Sequence, residues 1–184
     1  MAALFKKFVP SLLVSSPQPR AYCYADMVAK TNGWDDVINV ESAFDDVGSD
    51  PVAKSLIPDL KRLAKRYRCE VEEGLLRCKK TRVYLWIRSF AMFYAMVRQA
   101  LDLQDGAILF MASHGGQIEM RCLRMRLIQR GIPLENQRLG QVNVRDLPAG
   151  MLATCEAYIY HDVEIADGKI ISVGKIEKIS IPTE

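Results

Sequence analysis

Five cysteines stand in this chain, Cys23, Cys69, Cys78, Cys122 and Cys155, yet none forms a C-x-x-C pair and no histidine interleaves with them at ligand spacing. An odd number in that arrangement argues against both a disulfide framework and a zinc site. It fits a reducing compartment, with the thiols as small buried hydrophobes. Long apolar runs are also missing. The longest, Val83 to Val97, is interrupted by Arg88 and Ser89 and falls short of the roughly 20 residues a membrane-spanning helix needs. The opening MAALFKKFVPSLLVSS has cations ahead of an apolar stretch, but Pro10 breaks that stretch and no cleavage site follows, so it does not read as a signal peptide. There is no internal repeat and no low-complexity tract. Zinc-finger spacing, an RNP-type aromatic strand, a G-x-x-G loop and a G-x-S-x-G elbow are all absent.

What the chain does have is apolar material and an uneven charge. At 184 residues and 49% hydrophobic content it can build one domain around one core. Its formal net charge of +3 hides a basic middle. Residues 1–50 carry four Lys/Arg and seven Asp/Glu, residues 51–130 carry sixteen and seven, and residues 131–184 carry five and eight. A block of net charge +9 between two of −3 attracts polyanions, either a nucleic-acid backbone or an anionic membrane face, while overall near-neutrality favours self-association.

The pattern predicts an α+β fold: an antiparallel sheet with two main helices packed on one face, preceded by a flexible N-terminal arm. Residues 1–50, with clustered Ser, Pro, Gly and Asp, read as a mobile arm and acidic lead-in, and residues 51–184 as a single globular domain. A basic helix is expected over Val52–Arg68, starting near Pro58. Strands are expected at Cys69–Glu73 and Leu75–Ile87, and a central core helix, capped by Ser89, over Phe90–Leu103. AILFMAS, Ala107 to Ser113, reads as a buried strand joined by His114, Gly115 and Gly116 to a second strand with alternation at Ile118, Met120 and Cys122. Two β-rich runs around Asp167 and Gly168 predict a C-terminal hairpin, and no βαβ alternation is evident.

The clearest functional candidate is the ridge Lys61, Arg62, Lys65, Arg66 and Arg68, whose helical spacing lines up several cations for phosphates or lipid headgroups. Lys79 and Lys80, with Arg77 and Arg82, extend it; a solvated helix face explains the same residues. Lys6 and Lys7 beside Phe8, Val9, Leu12 and Leu13 make a short amphiphile suited to a membrane interface, to a neighbouring molecule or to packing within the chain. Catalytic constellations are weak. Ser113 and His114 are adjacent on a turn whose glycines are explained by turn chemistry, and His161, Asp162 and Glu164 read as surface polarity. No enzyme activity, cofactor or metal is expected.

The MAALFKKF start, the basic body and the order of elements from about Arg77 to Ile181 together resemble the matrix proteins of rhabdoviruses, particularly the small plant-virus type. The likeness is carried by an aromatic run feeding Phe90–Leu103, then AILFMA, then LGQVNV leading to ATCEAYIYHDVE. The resemblance implies a non-enzymatic structural protein that self-associates, bridges the anionic inner face of the envelope and the nucleocapsid, and drives assembly and budding. It implies as partners the nucleoprotein–RNA nucleocapsid, anionic lipids, a glycoprotein tail and further copies of the chain in a homo-oligomer or polymer. The implied location is the virion beneath the envelope, the host cytoplasm and the host nucleus. In that reading Lys6, Lys7, Lys61, Arg62, Lys65 and Arg66 meet membrane or nucleocapsid, and the Phe8 to Val14 arm docks on the next protomer. The Pro-Pro-x-Tyr and Pro-Thr-Ala-Pro budding signals of animal-virus members are missing, with Ser16 to Arg20 only a loose substitute. A nucleic-acid-binding viral accessory protein, such as a silencing suppressor, explains the same basic block.

Overall fold

In a computed structural model the chain is described at residues 5–35, 37–45, 76–153 and 156–180, and at Pro58, Lys61, Arg62, Lys65 and Gly74. The regular elements run β1 (Leu12–Ser15), α1 (Pro19–Asn32), β2 (Ile38–Val40), α2 (Lys79–Ala100), β3 (Leu109–Ala112), α3 (Gln117–Gln129), β4 (Ala157–Tyr160), β5 (Val163–Ala166), β6 (Lys169–Val173) and β7 (Ile176–Ile179). The fold is α+β with antiparallel strand pairs, β4 on β7 and β5 on β6. These pairs are two lengths of one long hairpin: His161 N–H donates to Lys175 O at 2.8 Å and Gly174 N–H to His161 O at 3.0 Å, carrying the ladder across the gap. Its tip is the expected turn, with Asp167 at φ 50° and Gly168 at φ 68°, the left-handed pair a two-residue turn requires.

The N-terminal segment corrects the expectation of a loose arm. β1 is the middle strand of a three-stranded parallel sheet of order β2-β1-β3, in register from Leu12 opposite Leu109 to Ser15 opposite Ala112. A parallel sheet is covered on both faces, and here the alternation along the strands does the sorting. Leu13 and Phe110 point to α1 with Val28, Ala29 and Trp34, while Val14 joins the larger core under α2 and α3, with Leu12, Leu109 and Met111 packed against it. Leu13 and Val14 are both fully buried, each worth about 1.5–3 kcal/mol relative to exposure. The Ser/Pro-rich stretch Ser15 to Pro19 is the turn from β1 into α1, with Pro19 at the first helical position. β1-α1-β2 is therefore a βαβ unit that the sequence pattern hid, because its strands are only four and three residues long.

Two other expectations are overturned. Residues 79–87 are not strand but the first turns of a 22-residue helix. The burial of Thr81, Leu85, Ser89, Met92, Phe93 and Met96 follows a helical period, and packing overrides the β-branched and aromatic composition. Ser89 is mid-helix rather than a cap, its hydroxyl donating to Trp86 O at 2.7 Å. The run after His114 is α3, not a hairpin partner of β3. Ten of its thirteen residues are buried, so an alternating apolar pattern and a helix buried nearly all round look alike.

Candidate functional site

The parallel sheet has a reversal in its chain order. From β1 the chain passes through α1 to β2 on one side, whereas β3 lies on the other side of β1. In open parallel sheets the helices that follow two such strands leave in opposite directions, and a crevice opens at the strands' carboxyl ends. β1 ends in Ser15 and Ser16 before α1, and β3 ends in Ser113, His114, Gly115 and Gly116 before α3. Gly116 has φ 80°, a backbone that turns the chain from strand into helix without strain.

Across this crevice Ser16 Oγ and His114 Nε2 are 2.9 Å apart. Both residues are buried. Ser16 Oγ also accepts the Gln18 N–H at 3.2 Å, and Ser16 N–H donates to Ala112 O at 3.0 Å, so the serine is locked to both strands. The pair ties the two strand-to-helix turns together rather than presenting a nucleophile, because no part of Ser16 reaches solvent. Ser113 turns the other way and donates to Phe44 O at 2.9 Å.

A cleft of about 750 Å³ runs along β3 and past its carboxyl end. Its walls are the first turns of α1 at Arg20 and Tyr24, the strand and turn from Phe110 to Gly115, the start of α3, and the segment from Met151 to Tyr158. The Tyr158 hydroxyl donates to Gly150 O at 2.6 Å; burial pushes its pKa up, so it stays a donor. Two carboxylates line the cleft, and both are already satisfied. Glu119, fully buried, accepts Gly116 N–H at 2.5 Å and Leu152 N–H at 3.2 Å. Glu156 pairs with Lys178 at 2.7 Å. Burial works to raise its pKa, but Lys178 and the Ala153 N–H outweigh that and hold it below the usual carboxylate range.

Arg121 is different. It is 3% exposed, its Nε has no acceptor, Nη1 reaches the Met111 thioether at 3.7 Å, and its hydroxyl neighbour is the neutral side chain of Tyr160. A second depression of about 800 Å³, between Arg77, Arg82 and the turns from Gly140 to Asp146, lies away from the strand ends; the Arg82 Nε there also has no acceptor, but Arg82 as a whole is only half-buried.

The residues singled out in the sequence lie elsewhere. Lys6, Lys7, Lys61, Arg62, Lys65, Lys79 and Lys80 are exposed; Pro58, Lys61, Arg62 and Lys65 are helical, while Arg66 and Arg68 lie outside the described residues. Lys7 Nζ sits 5.0 Å from the Phe8 ring centre. The docking set does not survive as a set. Leu13 is fully buried in β1 and Leu12 packs on the core, Phe8 packs beside Leu13 and Trp34, and Val9 alone is largely exposed. Phe8 and Leu12 to Val14 are already packed within this molecule, so the segment is not a free apolar arm.

His161 hydrogen-bonds Glu177 at 2.9 Å on the hairpin, and among the described residues no cluster of His, Cys, Asp or Glu is placed to hold a metal. Of the cysteines, Cys122 is buried, which pushes its thiol up to about 12, and Cys23 is exposed. From the sequence, Arg121 reads only as an extension of the basic patch and Arg20 only as the end of the Ser16 to Arg20 stretch; nothing in it brings the two to one cleft. The available signal was the repetition of a short apolar run, small polar residues and a helix start, at LLVSSPQP and at LFMASHGG. Comparison with known protein families, with curated protein sequences and with solved structures finds no match to this chain.

Proposed function

We propose that the protein is a small-molecule-binding protein whose site is the cleft at the carboxyl ends of β1 and β3. The observation that supports this most is the coincidence of a gathering of buried polar groups, Ser16, His114, Glu119 and Arg121, with the place where the strand order reverses. The role is binding rather than turnover, since the Ser16 hydroxyl is sealed from the cleft by its own turn. The test is a nitrogen-15 NMR titration with a panel of small aromatic fragments. Shifts confined to Ser113–Gly116 and Met151–Ala153 are the expected result, and a panel that moves no amide in these segments sinks the reading.

One observation favours a second reading: Lys6, Lys7, Lys61, Arg62, Lys65, Lys79 and Lys80 all expose their charges. A structural viral matrix protein that meets an anionic leaflet and a nucleocapsid would use such a surface. Among the described residues no helix is long and apolar enough to cross a membrane, so contact of that kind is peripheral in this reading. Self-association would then have to use a surface other than Leu12 and Leu13. Flotation with phosphatidylserine liposomes against neutral ones, with RNA as competitor, tests it. Salt-sensitive flotation that is lost when Lys61, Arg62 and Lys65 are changed to glutamate supports it. Tight RNA binding without flotation favours a nucleic-acid-binding accessory protein instead.

A further inference from the structure

We infer that the ligand of the cleft is an amphiphilic anion, an aromatic or acyl body carrying a single phosphate, sulfonate or carboxylate group, and that Arg121 is the residue that holds its charge. The inference rests on the cleft reading above and adds the ligand's chemical class.

Arg121 carries the argument. A guanidinium keeps its proton at neutral pH, and holding it out of water costs several kcal/mol unless it is paired. Other strongly buried charges in this molecule have partners. Lys178 has Glu156, and Glu119 has two backbone N–H donors. Arg124, one helical turn from Arg121, has three oxygen acceptors, Ser89 Oγ, Gln137 Oε1 and Trp86 O. Arg121 has a thioether, the neighbouring Tyr160 hydroxyl and the face of Phe44, whose ring centre is 5.9 Å from its guanidinium carbon. None of the three carries a negative charge, burial keeping the Tyr160 hydroxyl protonated, and the Arg121 Nε has no acceptor at all. The cleft wall is where the missing acceptor can arrive from solvent.

The carboxylates of the same cleft do not compete for it, since Glu119 and Glu156 already have their donors. Arg20, exposed at the first turn of α1, adds a second positive charge at the rim, where the N-terminal end of the helix dipole also favours an anion. The rest of the lining sets the body of the ligand. Phe5, Phe110, Ile118, Met151 and Leu152 offer apolar and aromatic surface, and methionine adapts to irregular shapes. A bare inorganic anion would leave that surface unused, and an uncharged aromatic would leave Arg121 unpaired.

Two probes with nearly the same aromatic body separate these terms: anilinonaphthalene sulfonate, which is an anion, and N-phenylnaphthylamine, which is neutral. Binding is followed by fluorescence and located by amide shifts at Ser113–Gly116 and Met151–Ala153, in the full chain and in Arg121→Gln and Arg121→Lys. The expected result is that the anion binds the cleft at least about tenfold more tightly than the neutral probe. Arg121→Gln should erase that preference while leaving the neutral probe within about twofold. Arg121→Lys, which keeps the charge, should retain most of it, and this variant answers the question if the glutamine variant does not fold. Equal binding of both probes, or an anion preference that survives Arg121→Gln, overturns the anion inference and leaves the cleft reading standing. Absence of cleft shifts with either probe overturns both.

Discussion

The guanidinium carbon of Arg124 lies 3.4 Å from the centre of the Trp86 ring and 3.8 Å from that of Phe90. Trp86 and Phe90 are one turn apart on α2, and Arg124 comes from α3, so this stack joins the two long helices through a cation rather than through hydrocarbon alone. Burial lowers the pKa of Arg124 to about 9, which leaves it charged at neutral pH. Its desolvation is offset by the two ring faces and by hydrogen bonds to Gln137 Oε1 at 3.1 Å and Trp86 O at 2.7 Å, with Ser89 Oγ accepting from Nε.

Arg124→Ala should therefore destabilise the protein by about 3 kcal/mol, since it opens a cavity and strips Ser89 and Gln137 of a partner. Arg124→Met, which keeps the volume between the rings, should cost less than Arg124→Ala. Urea unfolding followed by tryptophan fluorescence reads both, and a loss below about 1 kcal/mol in the alanine variant would contradict the structural role assigned to the stack.

A pH effect follows from Glu41, which is 7% exposed and bonded to Arg98 and to the Ala43 N–H. Burial pushes its pKa up, but the Ala43 N–H and the Arg98 guanidinium outweigh burial and hold it below the usual carboxylate range. A carboxyl with a depressed folded-state pKa contributes stability that is fully present above its unfolded value, about 4.3, and is lost as pH falls through the folded value. Glu41→Gln should flatten the acid limb of stability below about pH 4. The effect should not exceed about 1 kcal/mol, because Arg98 is largely solvent-exposed. Chemical denaturation across the acid range checks it, and parallel acid limbs in the two proteins would rule Glu41 out.

Because β1 is the central strand, removing residues 1–16 should abolish cooperative unfolding rather than yield a folded body without its arm. Leu13→Asp tests the same point without truncation, placing a charge where the structure has no solvent, and should cost at least about 3 kcal/mol. A truncated chain that unfolds cooperatively at the midpoint of the full chain would show that β1 is dispensable.

At the hairpin tip Gly168 holds φ 68° with open space where a Cβ would stand, so the penalty for a side chain there is conformational alone. Gly168→Val should cost about 1 kcal/mol, whereas Asp167→Gly, at φ 50°, should be neutral or mildly stabilising. Thermal unfolding of the two variants, moving the midpoint in different senses, is the check.

Much of the local structure was legible in the residues. The Asp167–Gly168 hairpin, the strand at Leu109–Ala112, the core helix after Phe90 and the exposure of Lys6, Lys7, Lys61, Arg62, Lys65, Lys79 and Lys80 all follow from turn chemistry, apolar period and charge. The class, α+β with antiparallel pairs, follows from the same signals. Partner choice for the strands was not legible. A four-residue apolar run such as Leu12–Ser15 carries no mark of whether its neighbour is parallel, or of which distant segment that neighbour is. Register and direction are decided by which faces α1, α2 and α3 cover.

The sequence by itself therefore determined the α+β composition, the C-terminal hairpin and the basic middle, because each is written in residues close together in the chain. Only the tertiary structure decided that the N-terminal segment is the centre of a parallel sheet, that Ser16 meets His114 across 98 positions of sequence, and that Arg121 is buried with no acceptor for its Nε. Those outcomes depend on which surfaces are excluded from water once every element is packed, a property of the whole chain that no window of residues contains.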